Sequence, residues 1–305
     1  MKSLKKKLGI TAILSFTLLL AACGSSEEGS NGSGQETASD SLGEALDYTI
    51  TGIEPGAGIT QLTLNTLEEY ENLEGWTLLE SSTAGMIGAL DQAIKNEEPI
   101  IVTGWNPHWK FSAYDLKYLE DPKGTLGGAE DINTITRKGL EEDMPEAYTI
   151  LDRFYWEPED MEAVMYAAQE IPFEEAAQNW IDENADKVSE WTEGVEKVDG
   201  VDIELVITPW DTERASGQVM KIVLEQQGYN VTLTPVDPAI MFQAIATAEG
   251  DASVAPWLPN THGSFYEKYK EDIVDLGPNL TGTKTGLVVP AYMDIDSIED
   301  LMPKK

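Results

Sequence analysis

Pro99–Trp109 (PIIVTGWNPHW) and Ala252–His262 (ASVAPWLPNTH) decide the fold. In each, a short strand-like run leads into a tryptophan, a proline two residues on, and a histidine. Pro99–Thr103 is continuously apolar, the pattern of a strand buried on both faces of a parallel sheet. Upstream of it, Tyr48–Ile53 (YTITGI) reads as a strand and Gly56-Ala57-Gly58 as a turn. Thr60–Tyr70 has helical spacing, Trp76–Leu79 is a second strand, and Thr83–Lys95 places Met86, Ile87, Leu90 and Ile94 on one helical face. The same order precedes the second stretch. Val201–Thr208 (VDIELVIT) is a strand running into Pro209-Trp210, and Arg214–Gln227 is an amphipathic helix stopped by Gly228. Tyr229–Thr234 is a strand, Pro238–Ala248 a helix ended by Gly250, and Ala252–Ala255 the last strand.

Strands alternating with helices predict mainly parallel sheets covered by helices, and two such units predict two α/β lobes. Ligands of open sheets sit beyond the carboxyl ends of the strands. Here those ends deliver tryptophan. Between the units, Pro145–Gly194 is helix-rich and acidic, carries Trp156, Trp180 and Trp191, and is expected to pack on one lobe or between the two.

Composition narrows the function classes. The 305 residues include 55 Asp+Glu against 20 Lys+Arg, a formal net charge of −35, which repels phosphate backbones and argues against a nucleic-acid binder. One cysteine forbids an internal disulfide and a Cys-rich zinc site, and two histidines leave little for a His-rich metal centre. An apolar fraction of 41% with eight tryptophans excludes a disordered acidic tail.

The N-terminus reads as an address. Lys2, Lys5, Lys6 and Lys7 precede the apolar Leu8–Leu20, which is shorter than the ~20 residues of a membrane span. Leu20-Ala21-Ala22 then precedes the single cysteine, Cys23, and this arrangement resembles the lipobox of bacterial lipoproteins, whose cysteine is lipidated. Gly24–Ser41 lacks Val, Ile, Leu and aromatics and reads as a flexible tether. The expected organisation is a signal peptide over 1–22, a tether over 23–47, a first α/β lobe with crossover over 48–140, helix-rich acidic chain over 141–200 and a second lobe with return crossover over 201–305. Removing the four leader lysines takes the basic count from 20 to 16 and the balance from −35 to −39. Such dense like charge reads as adaptation of an exposed surface to salty or alkaline surroundings, where screening is strong.

No phosphate-cradling loop with its lysine, nucleophile elbow or metal-spaced histidine pair is present. Acidic runs such as Glu141-Glu142-Asp143 read as solvated faces, and no cofactor is expected. Gly56-Ala57-Gly58, after a strand and before a helix, gathers backbone N–H groups suited to a carboxylate-sized anion. Trp76, Trp156, Trp180 and Trp191 read as core. Trp105, Trp210 and Trp257 stand at strand ends flanked by Gly or Pro, so they are expected to face a cleft. Several inward indole faces attract a quaternary ammonium by ~0.5–2 kcal/mol each. Stacking on sugar rings is the other use of such faces, in a carbohydrate-binding protein or glycosidase.

GIEPGAGI (52–59), IIVTGWNPHW (100–109), DLKYLEDPK (115–123), INTITRKG (132–139), WDTERAS (210–216), WLPNTH (257–262) and TGLVVPAYM (285–293) carry a resemblance. Over roughly Tyr48–Leu301 the chain resembles the glycine betaine-binding lipoproteins of Gram-positive osmoprotectant ABC importers. The resemblance implies a two-lobed type II periplasmic-binding fold, circularly permuted, with the ligand cleft between lobes. It implies that Trp105, Trp210 and Trp257 cage the trimethylammonium group, and that Gly58, Ile59 and His262 hold the ligand carboxylate, with His108 structural. The implied ligands are glycine betaine and proline betaine, with choline, carnitine or a sulfonium analogue as alternatives. The implied partners are an ABC permease with its ATPase and, through Cys23, the outer face of a cell membrane. A zwitterion between neutral rings at one end and donors at the other, with His262 donating either protonated or neutral, needs no Asp or Glu against its cation.

Overall fold

Residues 38–305 are described by the structure, a computed structural model. The expected signal peptide, Cys23 and most of the tether lie outside the described residues. The first described element is helix α1 (Ala38–Ala45), so the chain is already helical inside the range expected as tether. Leu42 and Leu46, four residues apart on one face, pack against a core of Ile50, Tyr70, Leu73 and Trp76.

The first βαβ run follows as β1 (Thr49–Thr51), α2 (Gly58–Glu69), β2 (Thr77–Leu79), α3 (Thr83–Asn96) and β3 (Val102–Asn106). Ser82 caps α3 by accepting from the Gly85 amide. A short helix α4 (Lys110–Ala113) and strand β4 (Leu116–Tyr118) lead to the long strand β5 (Ala129–Arg137). Helices α5 (Leu140–Asp143), α6 (Pro145–Arg153), α7 (Pro158–Ala167), α8 (Phe173–Glu183) and α9 (Ala185–Thr192) form the acidic segment. The second run is β6 (Val201–Ile207), α10 (Asp211–Gln226), β7 (Tyr229–Pro235), α11 (Pro238–Ala246) and β8 (Ala252–Ser253). Strand β9 (Trp257–Leu258), helix α12 (Gly263–Tyr269) and strand β10 (Ile273–Pro290) complete the order.

Both runs are parallel as predicted: β1 pairs with β2 and β3, and β6 with β7 and β8. They are not separate sheets. The strand order β2-β1-β3-β10-β5-β8-β6-β7 makes one mixed sheet, with β4 on β10 and β9 on β5. The joining strands β5 and β10 run antiparallel to their neighbours. β10 serves both halves because it bends. Its register with β5 shifts three times between Asp275 and Thr283, at Gly277 (φ 92°) and Gly282 (φ 82°) among others. Beyond that bend it pairs with β3, from Lys284↔Asn106 to Val288↔Val102. Pairing with β10 also moves β3 downstream of the predicted Pro99–Thr103, so Trp105 lies within the ladder rather than past its end.

Of the acidic helices, α7 and α8 settle against α10, presented by the second run, and α6 and α7 also approach β10. Ala147, Ile150 and Leu151 of α6, and Ala176, Ala177, Trp180 and Ile181 of α8, point inward. Glu141, Glu142 and Asp143 stay exposed. Trp156, Trp180 and Trp191 are core, as expected: Trp156 meets Trp180 edge-on at 5.5 Å and Trp180 stacks on Trp191 at 6.1 Å. Trp76 is core as well, and its indole donates to the Met302 carbonyl at 2.8 Å. Among the described residues no helix is long and apolar enough to cross a membrane.

Candidate functional site

The N-terminus of α2 approaches the turn between β9 and α12 so closely that a Cβ on Gly58 would lie 2.1 Å from the Thr261 carbonyl oxygen. Only glycine fits there. The first amides of a helix have no acceptor within it, so Gly58 and Ile59, opening α2, offer free N–H groups. No side chain caps this end of α2, which leaves those donors to a cavity beside them.

That cavity is lined by Ile53, Ala57, Gly58, Ile59, Trp105, Trp210, Thr212, Glu213, Trp257, Thr261, His262 and Thr285. All six residues singled out for the cleft, Trp105, Trp210, Trp257, Gly58, Ile59 and His262, therefore line one space. Trp105 comes from β3, opposite Thr285 of β10. Trp210 occupies the turn between β6 and α10, and Trp257 opens β9 beside Ile132 of β5. Sheet continuity thus brings to one place residues that stand far apart in the chain.

Each of two rings is held through its indole N–H by a carboxylate. Trp210 donates its indole N–H to Glu54 Oε2 at 3.0 Å, and Glu54 also accepts from the Thr83 amide and hydroxyl, both at 2.9 Å. Burial alone would raise the Glu54 carboxyl. The bonds from Thr83 and Trp210 outweigh it, and the group is held below the usual carboxylate range. Trp257 donates to Glu213 Oε1 at 2.7 Å, while Thr212 Oγ1 donates to Glu213 Oε2 at 2.6 Å. Glu213 is 2% exposed, and desolvation pushes its carboxyl up to about 7. Trp105 is held differently. Its ring lies 4.1 Å from the ammonium nitrogen of fully buried Lys110, which reaches the Trp105 carbonyl at 3.3 Å.

His262 has a fixed tautomer. Its Nδ1 accepts from the Trp257 amide at 3.0 Å, so the neutral ring carries its proton on Nε2. That Nε2 has no partner among the described residues, and desolvation lowers the imidazole to about 3. The ring is a neutral donor. Glu130 of β5 shapes the same turn by accepting from the Asn260 and Thr261 amides at 3.3 and 2.9 Å. His108, by contrast, does not line the cavity: its Nδ1 accepts from the Lys110 amide at 3.1 Å and it sits edge-on to Trp105 at 4.9 Å.

One acidic side chain that the sequence reading did not single out, Glu213, also lines the cavity. Among so many carboxylates composition could not single it out. Spacing could have: Glu213 lies three residues after Trp210, one helical turn on, in the same WDTERAS segment. Glu54 likewise stands two residues before the Gly56–Gly58 turn. Among the described residues no group of three His, Cys, Asp or Glu is placed to hold a metal. Aromatic faces, one buried carboxyl and three neutral donors suit a small zwitterion whose cation lacks hydrogens to donate.

Burial of His262 has a sign. The unfolded imidazole takes a proton below about 6.5 and the folded one only near 3, so stability is lost as pH falls through that window. Between pH 7 and 5 the loss from this group is about 2 kcal/mol. Glu213 works the other way, its raised carboxyl favouring the fold as pH falls from 7. Chemical denaturation at both pH values is expected to show His262→Gln losing less stability than wild type on acidification; equal losses would refute the assignment.

The family model for the substrate binding domain of ABC-type glycine betaine transport systems, OpuAC, matches residues 34–183 and 201–305. The glycine betaine/carnitine transport binding protein GbuC of Listeria monocytogenes is 48% identical over 304 residues, 98% of this chain and 99% of that protein. Lactococcal OpuAC, solved closed with glycine betaine, aligns at 53% identity over 48% of this chain and 58% of that chain, with a TM-score of 0.48. The glycine betaine/L-proline-binding protein ProX of Borrelia burgdorferi aligns at 31% identity over 50% of this chain and 58% of that chain, with a TM-score of 0.45. The curled mixed α/β sheet takes its place within the type II periplasmic-binding class. On the span and identity of these matches, the chain belongs to the family of substrate-binding proteins of ABC-type glycine betaine transport systems.

Proposed function

We propose that the protein is a membrane-anchored extracellular receptor that captures glycine betaine, and proline betaine with it, and hands it to an ABC permease driven by its ATPase. The observation that carries this reading is the convergence of Trp105, Trp210 and Trp257 with three neutral donors in one cavity. Trimethylammonium has no N–H to satisfy, so indole faces attract it without leaving an unpaired polar group. The ligand carboxylate then meets the Gly58 and Ile59 amides at the positive end of α2 and the Nε2–H of His262. No bond in the ligand is made or broken in this reading, and the protein is not an enzyme.

In the same reading, 48–140 and 201–305 act as two lobes with 141–200 packed beside them, and ligand contacts from both favour closure. Cys23 carries the lipid after removal of 1–22. Carnitine is the second reading, because the Listeria relative's name includes it and it too joins a trimethylammonium group to a carboxylate. Choline lacks the carboxylate and would leave the three donors without a partner.

Isothermal titration tests the ligand and the site together. Glycine betaine is expected to bind wild type and to displace carnitine and choline, and each of Trp105→Ala, Trp210→Ala and Trp257→Ala is expected to weaken it by about twofold or more, since one face contributes ~0.5–2 kcal/mol. No binding to wild type would overturn the ligand; unchanged affinity in the variants would overturn the cage. For the anchor, Cys23→Ala is expected to move the protein from the membrane fraction to the culture medium, and retention on the membrane would contradict lipidation at that residue.

A further inference from the structure

Three neutral rings and three neutral donors account for both ends of a zwitterion, yet the cavity wall also holds a carboxyl group. Glu213 is almost completely enclosed, and both of its oxygens are fixed, one by the Trp257 indole and the other by the Thr212 hydroxyl. Neither bond brings a positive charge. Among the described residues Glu213 forms no ion pair, and its neighbour Arg214 turns instead to Asp211 at 3.6 Å and to the Phe173 ring. A buried acid with no cation beside it is an incomplete arrangement.

Resting on the ligand class proposed above, we infer that Glu213 is the counter-charge of the cage and that arrival of a quaternary ammonium expels its proton to solvent. Before binding, the enclosed carboxyl keeps its proton because its ionised form has neither water nor a cation. The ligand cation supplies that charge. It cannot itself donate a hydrogen, so the carboxylate keeps both of its existing bonds and Trp257 is not displaced. One positive charge enters the cage and one proton leaves, so the buried charge on that wall is balanced. The rings supply contact; the acid supplies discrimination for a cation over a neutral molecule of the same shape.

Other titratable groups face this region, and their signs differ. His262 lines the same cavity and would take up a proton, not release one, if an arriving carboxylate acted on it. Glu54, bonded to the Trp210 indole N–H, is held ionised by its hydrogen bonds. Glu130 is turned to the Asn260 and Thr261 amides from β5, and Lys110 lies against Trp105 without lining the cavity. Asp211 is engaged by Trp109 at 3.0 Å. Replacing Glu213 alone therefore isolates its contribution.

The test is calorimetric titration of glycine betaine at pH 6 and pH 8, each in two buffers of different ionisation enthalpy, for wild type and Glu213→Gln. Glutamine keeps an oxygen for the Trp257 indole and removes the charge. Wild type is expected to release close to one proton at pH 6 and almost none at pH 8, with affinity roughly tenfold lower at pH 6. Glu213→Gln is expected to show no release, no change between the two pH values, and weaker binding than wild type at pH 8. A wild type that binds without releasing a proton, or a variant that releases as many, overturns the inference. A wild type that does not bind glycine betaine at either pH overturns the ligand instead. Thr212→Val keeps the acid and removes one of its donors, so it is expected to move the release to higher pH; an unmoved release would also count against the inference.

Discussion

An indole that turns its face to a cation must dispose of its own N–H somewhere else. In this protein that constraint organises the cavity. Trp210 and Trp257 cannot leave a donor buried without a partner, and each meets a carboxylate: Glu54 for one, Glu213 for the other. The Trp210–Glu54 bond spans 156 positions of sequence and ties the turn before α10 to the loop after β1. Trp109, outside the cavity, repeats the device by donating to Asp211 across 102 positions. The same bonds that aim the rings therefore hold the first parallel run against the start of α10.

The donor end follows a matching logic with the opposite polarity. Gly58 lets α2 come close enough to the Thr261 turn for two helix amides to share a cavity with His262. The Trp257 amide, by occupying Nδ1, leaves His262 with its proton on Nε2. One residue thus contributes a ring to one end and sets the tautomer at the other. Neutral donors are enough for a ligand that carries no net charge, and they leave no uncompensated charge in the fold before binding.

Much of this was legible in the sequence. The two parallel runs, their helices and the cavity position of Trp105, Trp210 and Trp257 could all be read from alternation and from Gly and Pro at strand ends. β10 could not, since Gly277-Pro278 and Gly282 break the alternation by which strands are recognised, and the same breaks let β10 bend between both halves. Two expected sheets therefore became one. The helix α1 was hidden in polar sequence, where Leu42 and, just past the helix end, Leu46 act through tertiary contact. Glu54, Glu130 and Glu213 were hidden by abundance, because nothing in a carboxylate's identity distinguishes a buried partner of an indole from a solvated one.

In the reading proposed, Trp105, Trp210 and Trp257 face the ligand and the four core tryptophans do not. Indole ¹H–¹⁵N spectra recorded during titration with glycine betaine address it directly, with each resonance assigned by single substitution. Large shifts are expected for Trp105, Trp210 and Trp257, and unmoved resonances for Trp76, Trp156, Trp180 and Trp191, which lie in the core. Shifts confined to the core set, or none at all on saturation, would contradict it.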